Sequence, residues 1–422
     1  MRYHYTNIMT VLIFLLLNPF YALLITVLLS IITNRVNNVL IAVLYVLSFS
    51  LLFSNQEFIL KSDLGSYIDM YHGTNFQSVS SIFNHFLINP NGREFLWLYY
   101  CMVIGLVSGY STEAFVVITY MLIFSLSAYL AFLASENGRY NFVLLLFSLV
   151  FFEMTFIDSG YDLWRNIVAV FVTLIGVLRY FSFSSKLISR VIIYSAAFIH
   201  LSMIPVIGIF ELYLLFIHRN DRQVLINISL LIKLILFTAV VIFVASFLTD
   251  QFLTIIRDNP EHALHNAAIL KYGVGGFDYF PPDIFSITHY TKPFYVMTIA
   301  YIVFSWKNIN HFDLFIFVTF IILEVMSHIS IDVSMVYGRA IVLSKIGLLF
   351  ISIKILYRLN YIYIIAFVCI IFTLRMVILV SYSPNLWFLE NIAKGDLFNP
   401  IYGLIFSILY FYDPFFYGPW FW

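Results

Sequence analysis

The chain has 422 residues, of which 62% are hydrophobic and 19% aromatic, while only 10% are charged. A soluble fold of this length could not bury so much apolar surface, so the composition excludes an ordinary water-soluble protein and indicates lipid as the main solvent. The 22 basic and 22 acidic residues balance, which argues against a nucleic-acid-binding surface. Cys101 and Cys369 both lie in apolar runs and provide no disulfide framework or thiolate metal site.

Apolar stretches recur along the whole chain. Runs of about 15 to 25 apolar residues suit membrane-spanning helices, whereas the strands of a membrane barrel alternate apolar with polar residues. We therefore predict an all-α, polytopic membrane protein with about 11–13 transmembrane helices in a single domain, residues 1–422. The first run is too long for a cleaved signal peptide, so we expect it to stay attached. The candidate spans are Ile8–Ile32, Val39–Phe53, Glu113–Ala134, Phe142–Ile157, Asn166–Phe181, Leu187–Ile217, Val224–Leu248, Pro293–Trp306, Phe312–Ile331, Ala340–Leu356, Tyr361–Val380 and Ile401–Phe411.

Two apolar stretches differ from a simple span. Phe95–Val107 has 13 residues, too few to cross a bilayer, so it is predicted to be an interfacial or re-entrant helix. Leu187–Ile217 has about 30 residues with Pro205 midway, and it is predicted to form two short spans or one broken helix.

Charged residues in the connections predict the orientation in the membrane. Short connections rich in Lys and Arg usually face the cytoplasm, and the turn with Arg179, Lys186 and Arg190 belongs to that set. Acid-rich connections are predicted to face outward. Two of these are large: residues 57–112, which include a juxtamembrane helix, and residues 249–292. Together these features predict a plan with large outward loops.

Three local patterns carry a resemblance to a known family. They are S-D-x-x-x-Y-x-x-x-Y from Ser62 to Tyr71, the Arg-led helix W-R-N-I-V-A-V around Arg165, and F-I-H-x-S ending with His200 and Ser202. With these patterns the chain resembles the bacterial O-antigen polymerases of the Wzy type and the related EpsG-like exopolysaccharide polymerases. The second half of the chain matches only in its general plan. The early outward loop with an Asp also resembles the plan of the membrane-embedded GT-C glycosyltransferases.

The resemblance implies an activity at the periplasmic face of the bacterial inner membrane. Such a polymerase takes a growing glycan from one undecaprenyl pyrophosphate and joins it to a new lipid-linked repeat unit, forming O-antigen or a related surface polysaccharide. The implied partners are the donor and acceptor lipid-linked oligosaccharides, membrane lipids and a chain-length regulator protein. No cofactor is expected, because the lipid pyrophosphate is itself the leaving group.

The base for the acceptor hydroxyl is predicted to be a carboxylate. Asp63, Tyr67 and Tyr71 are spaced at i, i+4 and i+8, so they share one face of a helix, with Asp69 further round. A carboxylate near lipid can have its pKa raised enough to accept a proton, which makes Asp63 the first candidate and Asp69 the second. The two tyrosines are candidate glycan contacts. The structural alternative for Asp63 is a helix N-cap.

Arginines are the candidates for binding the donor pyrophosphate, since the guanidinium is planar and permanently charged. Arg165 opens a helix at the predicted outer face, where the alternative is a snorkelling anchor paired with a nearby Asp. Arg339 follows at another outer boundary, and Arg375 lies inside a span, where a charge indicates function by default or an interhelical ion pair. Arg93 and Arg257 are weaker candidates in predicted loops.

His200 is the third kind of candidate. A buried His in an apolar helix is often a satisfied structural residue, but it could also bind a phosphate or sugar hydroxyl, or act as the alternative base. The His262 and His265 pair lacks the spacing of the H-E-x-x-H motif, so no metal site is predicted. Two other functions stay open: a flippase for the same lipid-linked oligosaccharide, and a membrane acyltransferase that modifies it.

Overall fold

The computed structural model describes residues 22–23, 25–27, 38–54, 63–76, 95–135, 164–182, 185–217, 223–224, 228–258, 309–329, 340–348 and 350–351. Most of these residues are helical, so the predicted helical class is confirmed for this part of the chain. The helices are α1 (Asn38–Ser54), α2 (Asp63–Gly73), α3 (Phe95–Ser108), α4 (Thr112–Ala134), α5 (Trp164–Ser182), α6 (Lys186–Ile199), α7 (Ile204–Phe216), α8 (Ile228–Asp258) and α9 (His311–Ile329). Residues 340–348 and 350–351 are also helical.

Two of these helices are long and apolar enough to cross a membrane. They are α4, with 23 residues, and α5, with 19 residues. Shorter apolar helices include α3, which has 14 residues and matches the short helix predicted there.

The described residues form two compact units. The first contains those within Met1–Phe76 and Tyr100–Trp164, and the second contains those within Gln77–Tyr99 and Arg165–Leu359.

In the first unit, α1 packs along α4 through aromatic and hydroxyl side chains. The ring of Phe124 on α4 contacts those of Tyr45 and Phe49 on α1, at centroid distances of 5.7 and 5.8 Å. The Tyr45 hydroxyl forms a hydrogen bond of 3.0 Å with Ser127 Oγ. This bond links the two helices and gives the buried Tyr45 hydroxyl a partner within the apolar interface.

A tight corner joins α3 to α4 in the first unit. Gly109 and Tyr110 both have left-handed backbone angles, with φ of 63° and 62°. The Tyr110 N–H donates to the Gly105 carbonyl oxygen across 3.0 Å, which caps the end of α3. The Tyr110 ring covers Gly105 so closely that a Cβ there would lie 2.3 Å from Cε1 of the ring. The glycine is therefore required for the corner to close.

The second unit is built around a helical hairpin formed by α6 and α7. The predicted interruption near Pro205 is observed, because α6 ends at Ile199, a 3₁₀ turn covers Leu201–Met203, and α7 begins at Ile204. Arg190 on α6 contacts Glu211 on α7 at 2.8 Å, so the two helices fold back on each other. At 14 and 13 residues each is about 20 Å long, shorter than a bilayer core.

Helix α5 packs antiparallel against α6. Near the α5 C-terminus, Lys186 and Arg190 lie over the ring of Tyr180. In the middle, Gly176 permits close approach, since a Cβ there would lie 2.6 Å from Ile193 Cγ1. At the α5 N-terminus, contact is made with the turn between α6 and α7. The hairpin tip is thus held against the start of α5.

Helices α8 and α9 complete the described core of the second unit. A two-residue antiparallel pairing, Gln223–Val224 with Ile309–Asn310, joins the segment before α8 to the start of α9. Asn310 caps α9, because its side-chain oxygen accepts from the Asp313 N–H at 2.7 Å. Helix α8 extends to Asp258, so the loop predicted for 249–292 begins later than expected. The apolar residues continue at helical spacing beyond Leu248, which explains the longer helix.

Candidate functional site

A chain of hydrogen bonds links the start of α5 to the tip of the α6–α7 hairpin. The Ser202 hydroxyl donates to Asn166 Oδ1 across 2.7 Å. The same hydroxyl oxygen lies 2.7 Å from His200 Nδ1, and the Ser202 backbone N–H approaches Nδ1 at 3.2 Å. We call Asn166, His200 and Ser202 the tip network.

The tip network is enclosed by protein. His200 is 6% exposed, Ser202 is 3% exposed and Asn166 is fully buried. Polar groups removed from water in this way need partners, and the three side chains provide them for one another. Hydrogen bonds in such a site are stronger than in water, so the network fixes the orientation of the imidazole ring.

The local backbone explains why the network forms where it does. His200 leaves the helical conformation, with φ of −152°, and ends α6 while capping the following 3₁₀ turn through Nδ1. Pro205 then stands in the first turn of α7, where a missing N–H is harmless. The N-termini of α5 and α7 and the C-terminus of α6 therefore meet at the network.

Arg165 is the second residue of α5, next to Asn166, and its side chain is half-buried. The first turn of α5 contains no acidic residue. The helix dipole places a partial positive charge at the N-terminus of α5, and the guanidinium of Arg165 adds to it. The electrostatic potential at this position is therefore positive. Such a helix start is suited to an anionic ligand.

Arg190 and Glu211 form a second polar cluster, near the open end of the hairpin. Arg190 Nη2 lies 2.8 Å from Glu211 Oε2, and the Tyr194 hydroxyl donates to Oε1 across 2.7 Å. The prediction for Arg190 as part of a basic turn omitted this acidic partner. Glu211 is an acid within an apolar run, which is the sequence signal that could have revealed the pair.

The first unit contains the predicted carboxylates and tyrosines on α2. Asp63 is the first residue of α2, and Asp69 is exposed. Tyr67 and Tyr71 are instead 2% and 0% exposed, so both rings are packed inside the protein. The predicted helix is therefore present, and its tyrosine face is the buried one.

Tyr67 and Tyr71 belong to an aromatic cluster in the first unit. Tyr67 stacks on Trp164 at a centroid distance of 5.6 Å, and Tyr71 stacks on Phe115 at 4.2 Å. The Tyr71 hydroxyl bonds to Ser108 Oγ at 2.7 Å and donates to the Ser111 carbonyl oxygen at 3.2 Å. Burial raises the pKa of Tyr71, against the opposing effect of the Ser108 hydrogen bond. Trp164, fully buried here, was not predicted as a structural centre.

Of the four remaining predicted site residues, the structure describes only Arg257. Arg257 lies in the last turn of α8 rather than in a loop. A basic residue there is favoured by the helix dipole. Arg93, Arg339 and Arg375 lie outside the described residues. Among the residues that the structure describes, no group of three or more His, Cys, Asp or Glu side chains is arranged to hold a metal ion.

Lys345 is a buried charge in the second unit. It is 8% exposed, in a helical segment whose residues 340–348 are all buried. Glu324 on α9 interacts with it electrostatically.

Comparison of the chain with protein-family models, with curated proteins and with solved structures gave no match.

Proposed function

We propose that this protein is a polytopic membrane glycosyltransferase that polymerises lipid-linked oligosaccharide repeat units. It would transfer a growing glycan from undecaprenyl pyrophosphate to a new lipid-linked repeat at the periplasmic face of the bacterial inner membrane. The resemblance of the three sequence patterns supports this function. The observation that carries the proposal is the contact between two of them: Asn166 of W-R-N and Ser202 of F-I-H-x-S share a hydrogen bond.

Exposed apolar surface supports the membrane location. On α8 the exposed large apolar side chains recur every three or four residues and form a stripe along the helix: Ile232, Ile235, Leu236, Val240, Phe243, Val244 and Phe247. On α6 Leu187, Val191 and Phe198 form a second stripe. A soluble monomer rarely exposes apolar surface on this scale, whereas lipid tails would cover it without penalty.

Arg165 is the proposed ligand for the donor pyrophosphate. Its guanidinium would neutralise the charge that develops on the leaving group, and the N-termini of α5 and α7 add N–H groups of the same polarity. Arg339 and Arg375 join this role on the basis of their predicted positions, at an outer boundary and inside a span. Arg93 and Arg257 stay weaker candidates.

The chemistry requires a base and a leaving group. The acceptor sugar hydroxyl loses its proton and attacks the anomeric carbon of the donor glycan, while the bond from that carbon to the pyrophosphate oxygen breaks and the pyrophosphate keeps the electron pair. Asp63 is the first candidate base, and Asp69 and His200 are the others. The exposure of Asp69 is compatible with contact with a soluble glycan.

The direct test uses purified protein in lipid nanodiscs with lipid-linked repeat units as the only substrate. The wild type should produce a ladder of longer glycans, and Arg165→Ala should reduce the rate about 100-fold or more. Arg179→Ala is the matched control, because Arg179 lies at the other end of the same helix. An equal ladder from Arg165→Ala would overturn the role of Arg165.

A cellular test separates polymerisation from transport. Cells that contain only Arg165→Ala should accumulate single repeat units exposed at the periplasmic face. Accumulation of repeat units on the cytoplasmic side would instead favour a flippase, and a loss of acetyl or other acyl groups with normal chain length would favour the acyltransferase.

A further inference from the structure

Helix α6 presents two different faces. The residues that it buries against the protein are Ser189, Ile193 and Ala196. On another side of the helix, large side chains that are between 39% and 76% exposed recur at spacings of four, three and four residues: Leu187, Val191, Tyr194 and Phe198. Residues with this spacing lie one above the other on a helix, so the four form a continuous surface, which we call the α6 stripe.

Two basic side chains accompany the beginning of the α6 stripe. Lys186 directly precedes Leu187 and is exposed. Arg190 directly precedes Val191, and its side chain is 41% exposed. Both cations lie over the ring of Tyr180 on α5, with Lys186 Nζ at 5.6 Å and Arg190 Cζ at 5.9 Å from the ring centroid. Because Tyr180 is only 8% exposed, its ring is held by the protein and keeps the two cations together at one end of the stripe.

The acidic residue in this cluster is Glu211 on α7. Its Oε2 lies 2.8 Å from Arg190 Nη2, and its Oε1 accepts a hydrogen bond of 2.7 Å from the Tyr194 hydroxyl. Both carboxylate oxygens are therefore engaged within the protein. In the sequences of α5, α6 and α7, Glu211 is the one acid, whereas the bases at this end are Arg179, Lys186 and Arg190. This end of the three helices thus has an excess of formal positive charge.

The α6 stripe has about the length of one membrane leaflet. From Leu187 to Phe198 the helix rises about 16 Å, and half of a bilayer hydrocarbon core is about 15 Å thick. Helix α6 packs against α5, which is long and apolar enough to cross a membrane, so the stripe follows the depth of the bilayer. A positive end followed by an apolar surface of this length fits a ligand with an anionic head group and an acyl chain. A soluble anion would not use the stripe, and a neutral lipid would not use the charge.

We propose that the start of α6 binds an anionic glycerophospholipid, with its phosphate at Lys186 and Arg190 and an acyl chain along the α6 stripe. The basic turn before α6 is predicted to face the cytoplasm, and basic clusters between membrane helices on that side bind anionic head groups. A guanidinium has five N–H donors, so the bond from Arg190 to Glu211 is compatible with a second bond to phosphate. This site goes beyond the proposed function, because it requires no glycosyl transfer.

The test measures lipid binding to the whole protein in neutral detergent by native mass spectrometry. The two ligands are phosphatidylglycerol and phosphatidylcholine with the same acyl chains. The wild type should bind phosphatidylglycerol about tenfold or more tightly, since each basic side chain near the phosphate contributes about fivefold. Lys186→Gln should therefore lose about fivefold in affinity for phosphatidylglycerol and keep its affinity for phosphatidylcholine. Val191→Ser should weaken the binding of both lipids equally, because it removes apolar contact with the acyl chain.

The matched control is Lys233→Gln, because Lys233 is an exposed lysine on α8 whose neighbour Ile232 is also exposed. This variant should keep the wild-type preference for phosphatidylglycerol. All three variants change exposed side chains, so each should keep the Tm of the wild type in detergent without added lipid. A large excess of inorganic phosphate should not displace the bound lipid.

Three results would overturn the proposal. They are equal binding of the two lipids by the wild type, an equal loss in Lys233→Gln and Lys186→Gln, and displacement of phosphatidylglycerol by inorganic phosphate, which would indicate an anion site without an acyl chain. Lipid binding is measured here without any lipid-linked sugar. A wild type that makes no polymer would therefore leave this inference intact, and loss of the lipid site would leave the proposed function intact.

Discussion

Asn166 and Ser202 are 36 residues apart in the chain, yet their side chains share a hydrogen bond of 2.7 Å between the start of α5 and the tip of the α6–α7 hairpin. The bond brings Arg165, the neighbour of Asn166, to the same end of the second unit as His200. The contact depends on the close approach of α5 and α6 at Gly176.

Gly176 makes that packing possible, so we expect Gly176→Ala to destabilise the protein. The added Cβ would lie 2.6 Å from Ile193 Cγ1 and 3.1 Å from the Ser189 carbonyl oxygen. Because this oxygen belongs to the backbone of α6, it cannot easily move away from the added carbon. The expected loss is about 1–3 kcal/mol, seen as a lower Tm in nanodiscs. Gly208→Ala on α7 is the matched control, because its Cβ would meet nothing within 4 Å. That variant should be neutral or gain about 0.5–1 kcal/mol from helix propensity.

The longer helices were largely predictable from the sequence because most of their residues are apolar. The predicted span Glu113–Ala134 agrees with α4 (Thr112–Ala134), and Asn166–Phe181 agrees with α5 to within two residues at either end. Pro205 predicted the break between α6 and α7, since a proline in a helix interior removes a hydrogen bond. These features are local, so no long-range information was needed.

The contacts between helices were not predictable in the same way. Which face of a helix is buried depends on its rotation against its neighbours, and a nearly all-apolar helix carries no amphipathic signal for that rotation. Sequence spacing placed Tyr67 and Tyr71 on one face of α2, but their burial is decided by Trp164 and Phe115, which are distant in the chain. Asn166 was missed for the same reason, because its partner Ser202 lies in the turn between α6 and α7, 36 residues further along the chain.

Substitutions of Tyr71 test whether its side chain serves packing or glycan binding. Tyr71→Phe keeps the stack on Phe115 but loses the bonds to Ser108 and the Ser111 carbonyl, so it should lose about 0.5–1.5 kcal/mol of stability and retain polymerisation. Tyr71→Ala should lose about 3–5 kcal/mol because it leaves a cavity. Thermal unfolding and the nanodisc assay measure both effects. A Tyr71→Phe variant of normal stability that raises KM for the acceptor would instead show a direct contact with the glycan.

The pair of Arg190 and Glu211 should contribute less than its short distance suggests. Their side chains are 41% and 33% exposed, and exposed ion pairs stabilise proteins only weakly. We expect Arg190→Met to lose about 1 kcal/mol. The double variant with Glu211→Leu should be more stable than this single variant, since it removes a carboxylate that has lost its cation. Thermal unfolding of the two single variants and the double variant forms a double-mutant cycle. Additive effects would show that the two side chains do not interact.

Lys345 should be destabilising in the folded protein, so its replacement is expected to raise the Tm. The side chain is 8% exposed, and removal of an ammonium group from water costs free energy unless a carboxylate or several acceptors surround it. Lys345→Met keeps the length and flexibility of the side chain and removes the charge, which often stabilises proteins when a buried ion is replaced by a well-packed apolar residue. Gly347, two residues further along, is unsuitable as a control because a Cβ there would lie 2.5 Å from Ile316 Cγ2. Lys345→Arg is the better control, since it retains the charge and should not raise the Tm.

Thermal unfolding of both variants in nanodiscs, with and without lipid-linked repeat units, provides the measurement. If Lys345→Met is less stable than the wild type in both conditions, the electrostatic interaction with Glu324 outweighs the desolvation of the ammonium group.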